Sequence, residues 1–279
     1  MVKQVIAKTL IEALNYLNEE PYQVLAGGTD LMIQNRSSAD TPVAFKKNIL
    51  YVSSIEELKY IKKKKNQILI GALTPLETIM NHELTPAILK ETISEMASPA
   101  IRHIATLSGN IGNASPAGDS LVPLYLLDCK VKLASKDKER LIFLKDLIVG
   151  PRITLLEENE MITEIQISCL DFTKSSFVKV GGRKADAISK VSFAGAVLIK
   201  EKMIVDLRFV FGSVYKTVVR LPEIEQKYKD WTISELKDAL EDVLQDYEKY
   251  ILPIDDQRST SVYRKKVALN LLSDFIENL

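Results

Sequence analysis

Two glycine-rich segments have the residue types that could hold an anionic ligand through backbone amides. The longer one, residues 106–119, contains three of the chain's eleven glycines and two asparagines, and it ends on Asp119. The shorter one, residues 24–30, contains the pair Gly27-Gly28. Glycine and asparagine tolerate positive φ, and a missing Cβ lets a ligand approach the backbone closely. We expect backbone N–H groups of both segments to bind the phosphates of one cofactor. Backbone N–H groups bind anions in this way in a nest or at a helix start.

The composition of residues 106–119 predicts an irregular loop rather than a packed helix or a core strand, because the segment has almost no bulky side chain. Irregular loops longer than about 12 residues in compact domains are usually functional or disordered. This segment lacks the charge typical of disorder, which favours a ligand-binding loop over a plain surface connection. Residues 26–30 alone predict a plain turn at least as well as a ligand-binding loop, and the two glycine-rich segments together make a stronger case than either one alone.

Bulk composition excludes several function classes. The chain has 279 residues, long enough for two domains, and its 37 Lys+Arg balance its 37 Asp+Glu. A formally neutral chain gives no reason to expect binding to nucleic acid or to an anionic membrane. No apolar run approaches the roughly 18 residues of a spanning helix, and the N-terminus lacks a signal-peptide pattern. We expect a cytoplasmic protein without a membrane span.

The chain offers no convincing catalytic or metal-binding set. His82 and His103 are the only histidines, and no cysteines cluster with them. We interpret His103 as a hydrogen-bonding residue at a helix end or in a loop. Cys129 and Cys169 follow apolar segments and are interpreted as buried thiols rather than nucleophiles.

Two charged residues have competing interpretations. Lys179 lies in the alternating stretch 177–180, and that pattern alone places it on the solvated face of a strand. Asp119 is predicted to cap the helix that follows it, to accept hydrogen bonds from ligand hydroxyls, or to do both.

Periodicity and capping patterns predict the elements that must position these residues. Capping boxes predict helix starts at Thr9, Ser54, Thr74 and Thr232. The four lysines at 62–65 are interpreted as a solvated turn before a strand. Predicted helices cover 10–18, 55–61, 75–81, 86–96, 121–127, 234–250 and 262–277. Predicted strands cover 23–26, 43–45, 49–51, 67–72, 131–135, 164–168, 177–180, 194–200 and 204–210.

The resulting order is helix, strand, glycine loop, which is not the strand, glycine loop, helix order of a dinucleotide-binding Rossmann unit. After about residue 172 the composition changes to one that predicts an antiparallel sheet. We therefore predict an α+β chain with one domain at 1–172, in lobes of about 1–53 and 54–172, and a second domain at 173–279.

Four segments in order, 25–31, 106–119, 177–184 and 253–264, resemble motifs of the flavin subunit of molybdenum hydroxylases, the xanthine dehydrogenase and carbon monoxide dehydrogenase family. The resemblance covers essentially the whole chain. It implies a two-lobed FAD-binding domain of the vanillyl-alcohol-oxidase (PCMH) type. A smaller C-terminal domain with a three-stranded antiparallel sheet and helices would follow.

The resemblance also implies which residues contact FAD. Backbone N–H groups of 26–30 and 106–110 would hold the pyrophosphate, Asp119 would meet a polar part of FAD, and Ile162 would make an apolar contact. Lys179 would lie on the cofactor, which reverses the interpretation from its strand pattern. The implied cofactor-binding residues are Val24, Leu25, Ala26, Gly27, Gly28, Thr29, Asp30, Leu31, Thr106, Leu107, Ser108, Gly109, Asn110, Asp119, Ile162 and Lys179.

One residue departs from the family motif. The family usually has Gly-Gly-Asn where this chain has Ser108-Gly109-Asn110, which adds a Cβ and a hydroxyl near the expected phosphates. The four-cysteine insertion of some relatives is absent from the sequence.

As function, the resemblance implies an electron-transfer subunit without catalytic side chains of its own. A large partner would carry molybdopterin, a small partner would carry [2Fe–2S] clusters, and electrons would pass through FAD to NAD⁺. The resemblance implies purines first as the substrate of the large partner, with other N-heterocycles, aldehydes and carbon monoxide as alternatives. Two other functions stay open at this point: a self-contained flavin oxidase or reductase of the same fold, and a flavin-less assembly module.

Overall fold

A computed structural model of the chain describes residues 2–38 and 40–279, which form two compact units. The first unit comprises the described residues up to Thr85 together with 97–114 and 129–168. The second comprises 86–96, 115–128 and 169–279. Residues 86–96 and 115–128 fall in the predicted first domain but group with the second unit; the boundary near 172 itself stays a prediction.

The described residues form a mixture of helices and strands. In chain order they are β1 (Gln4–Ile6), α1 (Leu10–Glu19), β2 (Tyr22–Leu25), α2 (Leu31–Gln34), β3 (Asn48–Tyr51), β4 (Ile61–Lys64), β5 (Gln67–Gly71), α3 (Leu76–Asn81), α4 (Ala87–Ser94), α5 (Pro99–Arg102), α6 (Leu107–Asn113), α7 (Leu121–Leu126), β6 (Lys130–Ala134), β7 (Glu139–Phe143), α8 (Leu144–Leu147), β8 (Ile148–Gly150), β9 (Ile153–Thr154), β10 (Met161–Ser168), β11 (Lys174–Val180), β12 (Val191–Lys200), β13 (Met203–Gly212), β14 (Val219–Arg220), α9 (Pro222–Glu225), α10 (Ile233–Asp238), α11 (Leu240–Glu248) and α12 (Ser261–Glu277).

A parallel sheet in the order β1-β3-β2 delivers the first glycine pair at the end of β2. Helix α1 begins after Thr9, whose hydroxyl accepts the Glu12 N–H at 3.2 Å, and it buries Ala13 and Leu17 in the core of this sheet. The predicted order of helix, strand and glycine loop is therefore confirmed.

The second sheet of the first unit is antiparallel, in the order β4-β5-β10-β6-β7. Its central strands β5 and β10 bury Ile70 and Ile165 completely. The interpretation of 62–65 as a turn is wrong, because 62–64 lie in the edge strand β4 and only Lys65 and Asn66 turn the chain. Exposed lysines on an edge strand discourage pairing with another chain.

The prediction that residues 106–119 form no packed helix is also wrong. Residues 107–113 form α6, because the Thr106 side chain caps its start and Leu107 and Ile111, one turn apart, are both buried. Packing of these two side chains outweighs the poor helix propensity of the glycines and asparagines around them.

Three further element predictions are wrong. Residues 43–45 form no strand, and the helix predicted at 55–61 is one 3₁₀ turn, Glu56–Leu58, which leaves Ser54 without a helix to cap. The helix predicted at 234–250 is interrupted at Ala239, whose ψ of 16° leaves the helical range. These segments carry helix or strand propensity, but tertiary packing decides their conformation.

The second unit is built on the antiparallel sheet β11-β12-β13-β14. The predicted three strands are the long ones, and β14 adds a fourth of two residues. Buried aromatic rings form its core with α11 and α12, and Gly195 is required there because a Cβ would lie 2.7 Å from the Phe275 ring. The aromatic members are Phe193, Phe209, Phe211, Tyr228, Tyr247 and Phe275.

Candidate functional site

A cleft of about 460 Å³ in the first unit is lined by both glycine-rich segments. This volume lies within the roughly 300–1,000 Å³ typical of small-molecule and cofactor sites. The structure brings together thirteen of the sixteen predicted cofactor-binding residues along its wall: Val24, Leu25, Ala26, Gly27, Gly28, Thr29, Asp30, Leu31, Thr106, Ser108, Gly109, Asn110 and Ile162.

The first glycine pair fixes how closely the two cleft-lining segments approach. A Cβ on Gly27 would lie 2.0 Å from the carbonyl oxygen of Ile104, two residues before the cap of α6. Gly28 has a φ of +69°, in the left-handed region that favours glycine. Gly27 is therefore needed for the backbone to pass directly against residues 104–105, and Gly28 allows the chain to turn immediately after it.

The start of α6 presents backbone amides with little side-chain bulk. The Thr106 hydroxyl accepts the Gly109 N–H at 3.0 Å, and Leu107 turns into the core instead of lining the cleft. Helix geometry leaves the first amides of α6 without intrahelical acceptors. The arrangement suits an anion or another acceptor at the helix start.

The Ser108 hydroxyl is directed to protein partners. It donates to the carbonyl oxygen of Ala72 and lies 3.1 Å from the Thr106 hydroxyl. The Ser108 side chain therefore ties α6 to the segment that follows β5.

Gly112 lies in the segment 106–119 but not among the implied FAD contacts, and it also lines the cleft. Apart from its chain neighbours and the nearby backbone of α6, a Cβ built on it would meet no described atom within 4 Å. The backbone of α6 is therefore bare towards open space at this position.

Sequence reasoning missed a polar chain that connects the two segments. Gln34 Nε2 donates to Asp30 Oδ2 at 2.6 Å and to Asn113 Oδ1 at 2.9 Å. Arg152 Nη1 donates to the same Asn113 oxygen at 3.3 Å. All four residues, and Lys47, line the cleft. Only the spacing of Asp30 and Gln34, one helical turn apart, carried a signal in the sequence.

Glu160 anchors another part of the wall. Its buried carboxylate accepts from Arg140 Nε at 2.8 Å and Nη2 at 2.7 Å, and from the Glu157 N–H at 3.0 Å. The Arg140 hydrogen bonds hold the pKa of the Glu160 carboxyl below its ordinary value, although burial opposes this. Glu160 is therefore an ionised structural residue of the cleft wall.

Asp119 and Lys179 belong to the second unit, where they pair with one another. Lys179 Nζ lies 2.8 Å from Asp119 Oδ2 and donates to the Glu95 carbonyl at 2.9 Å. The Ser189 hydroxyl donates to the other Asp119 oxygen. The placement of Lys179 on a solvated face is wrong, since its side chain is only 6% exposed. Asp119 does not cap α7, whose start has no side-chain cap.

The remaining candidate residues have structural surroundings. His103 Nδ1 lies 2.7 Å from the Pro99 carbonyl, which confirms its interpretation as a hydrogen-bonding residue at a helix end. Cys129 is buried as expected, and burial raises the pKa of its thiol, whereas Cys169 is only partly buried. Within residues 2–38 and 40–279, no three His, Cys, Asp or Glu side chains gather as metal ligands. No helix in this part of the chain is long and apolar enough to span a membrane.

Family comparisons agree with this architecture. Residues 1–168 match the FAD binding domain in molybdopterin dehydrogenase, and residues 176–279 match the CO dehydrogenase flavoprotein C-terminal domain. The first match alone covers more than half of the chain.

Two curated relatives align over most of the chain. The glyceraldehyde dehydrogenase medium chain of Sulfolobus acidocaldarius is 28% identical over 265 residues, covering 94% of this chain and 92% of that protein. The nicotinate dehydrogenase FAD-subunit of Eubacterium barkeri is 33% identical over 204 residues, covering 70% of this chain and 68% of that protein.

The fold matches a solved structure. A chain of reconstituted CO dehydrogenase from Oligotropha carboxidovorans has a TM-score of 0.87 at 22% identity, covering 98% of this chain and 96% of that one. The predicted α+β fold, an FAD-binding domain followed by a C-terminal domain, is confirmed. This chain therefore belongs to the molybdopterin dehydrogenase FAD-binding family and is the FAD-binding subunit of an oxidoreductase of the xanthine and CO dehydrogenase type.

Proposed function

We propose that FAD binds in the cleft of the first unit and that the chain relays electrons within a three-subunit molybdenum hydroxylase. A small partner would supply electrons from [2Fe–2S] clusters, and NAD⁺ would accept them. The observation that carries this proposal is the convergence of both glycine-rich segments on one cleft.

The residues present fit a dinucleotide. Gly112 leaves bare backbone towards open space, and Gly28 bends the first segment with positive φ. Lys47 and Arg152 bring positive charge to the cleft, which suits a pyrophosphate. Ile162 is 8% exposed and offers an apolar wall.

Each part of the chain would have a limited task. Within the expected donor ranges 26–30 and 106–110, the N–H groups of Gly109 and Asn110 already donate to Thr106. The backbone N–H groups of 26–30 and 106–108 would therefore hold the phosphates, and Ile162 would contact the cofactor through apolar surface. We retain Asp119 and Lys179 as proposed contacts on the family resemblance alone, since neither residue lines the cleft. The bound flavin ring supplies the redox chemistry, and the protein supplies position and electrostatics.

The organic substrate would belong to the molybdopterin-bearing partner. The two relatives above are named for glyceraldehyde and for nicotinate, an aldehyde and an N-heterocycle. Similarity of this chain to both agrees with a flavin subunit that does not itself select the substrate.

A titration of the full-length chain with FAD tests the proposal. We expect a yellow complex with one FAD per chain, oxidation of its reduced form by NAD⁺, and no turnover of an organic donor without partners. A chain that binds no FAD would contradict the site, and turnover of a donor by the isolated chain would favour a self-contained flavin enzyme. Reduced complex that passes electrons to a quinone but not to NAD⁺ would contradict only the acceptor.

A further inference from the structure

Arg152 occupies a backbone position that suits glycine better than arginine. Pro151 and Arg152 form the two-residue turn between β8 and β9, whose Gly150 and Ile153 are paired. Arg152 has a φ of +60°, in the left-handed region, and its N–H donates to the Ala114 carbonyl at 2.9 Å. After a proline in a turn, glycine or asparagine adopts this conformation with less strain. Arg152 is one of ten non-glycine residues with positive φ in the described part of the chain, and among these ten only Arg152 lines the cleft.

Arg152 is an exposed residue that lines the cleft, and most N–H donors of its guanidinium have no acceptor in the described part of the chain. It carries five N–H donors, and among the described residues only Asn113 accepts from it. No Asp or Glu in this part of the chain lies within ion-pair distance of it, whereas nearby Glu157 pairs with Lys138 at 2.9 Å and Glu160 with Arg140 at 2.7 Å. Arg152 is therefore a cation without a protein counter-charge at the cleft wall.

Asn113 and Gln34 hold this guanidinium in place. Asn113 Oδ1 accepts from Gln34 Nε2 at 2.9 Å as well as from Arg152, which fixes the direction of its amide oxygen. Gln34 is itself held by Asp30 at 2.6 Å. A polar chain from three separate segments thus ends on a cation that faces the ligand space.

We propose that the Arg152 guanidinium binds a phosphate of the dinucleotide, with Asn113 and Gln34 as positioning residues. The planar fork of arginine matches two phosphate oxygens at once. This inference rests on the proposed placement of FAD in the same cleft, and it assigns the contact to a side chain outside both glycine motifs.

The test compares nucleotide binding by the full-length apoprotein and its Arg152→Gln variant. Loss of a charged hydrogen bond to phosphate is expected to weaken FAD binding about tenfold. ADP, used as a competitor, should lose affinity similarly, while riboflavin, which lacks phosphate, should not. The dependence of FAD affinity on salt should also become shallower. Arg36→Gln, at an exposed arginine that does not line the cleft, should match wild type.

Arg152→Gly separates binding from folding. Glycine relieves the left-handed backbone, so the melting temperature should be equal to or above that of wild type while FAD affinity falls as in Arg152→Gln. FAD and ADP affinities within twofold of wild type in both variants would overturn the inference, as would an equal loss for riboflavin. If wild type itself binds no FAD, the proposed cofactor site fails as well, so the two failures are distinguishable.

Discussion

Lys179 Nζ lies 2.8 Å from Asp119 Oδ2, and both side chains are buried in the second unit, 6% and 9% exposed. The pair joins strand β11 to the segment just before α7. Two residues that lie far apart in the sequence therefore form one buried ion pair.

Removing one partner of this pair should destabilise the second unit strongly. We expect Lys179→Met or Asp119→Asn to lower the free energy of unfolding by about 3–5 kcal/mol, since the other charge is left buried without a partner. Urea unfolding of the full-length chain measures this. The Lys179→Met, Asp119→Asn double variant should lose less than the sum of the single losses. Additive losses would show that the two charges do not interact.

Gly27 and Gly112 should respond differently to alanine. Gly27→Ala places a Cβ 2.0 Å from a backbone oxygen, so we expect a loss of roughly 1–3 kcal/mol of stability or more and weakened FAD binding. Gly112→Ala meets no protein atom and replaces a helical glycine, so stability should rise by roughly 0.5–1 kcal/mol. FAD affinity of Gly112→Ala should nevertheless fall, because its Cβ enters the cleft. Unchanged FAD affinity in this stable variant would place the cofactor away from α6.

Ser108→Gly should affect stability more than cofactor binding. The variant loses the hydrogen bond to the Ala72 carbonyl and gains a glycine in α6, so we expect a loss of roughly 1–2 kcal/mol. FAD affinity should stay within about threefold of wild type, a change below 1 kcal/mol. Thermal unfolding and FAD titration of the same sample check both. A large gain in affinity would show that the hydroxyl obstructs the phosphates.

Glu160 should make the chain sensitive to acid. Its pKa is lowered in the folded state by Arg140, so its stabilising contribution is present above about pH 4.5, the ordinary value, and is lost as pH falls towards the folded pKa. The stability gap between wild type and Glu160→Gln should therefore be widest at neutral pH and narrow below about pH 4.5. A gap that is independent of pH would contradict the ion pair.

Glu91 should give a pH dependence of stability opposite to that of Glu160. Burial raises the pKa of its carboxyl above the ordinary 4.5, although the Phe177 N–H donates to it at 3.1 Å. Its contribution to stability therefore falls as pH rises from the ordinary value through the folded pKa. Glu91→Gln should gain stability relative to wild type over that range, measured by urea unfolding at stepped pH. A gain that appears only on acidification would contradict the assignment.

Local signals predicted much of the fold, and they failed where distant packing decides. Thr9 and Thr232 correctly predicted the starts of helices α1 and α10, because a helix cap involves only residues within one turn of each other. The helical conformation of 107–113 depends on burial of Leu107 and Ile111 by the rest of the unit, so its glycines and asparagines misled the prediction.

The cleft shows the same division. The two glycine-rich segments were visible as motifs, but Arg152, Asn113 and Gln34 meet only after three segments fold together. No spacing rule connects residues 39 and 79 positions apart. The solvated placement of Lys179 failed for the same reason, because its carboxylate partner lies 60 positions upstream in the chain.

Hydrogen exchange of the full-length chain with and without FAD tests the placement of the cofactor most directly. We expect FAD to slow amide exchange in residues 26–30 and 106–113 and to leave α11, in the second unit, unchanged. Bound FAD that leaves both glycine-rich segments exchanging at the rates of the free chain would contradict the cleft as its site.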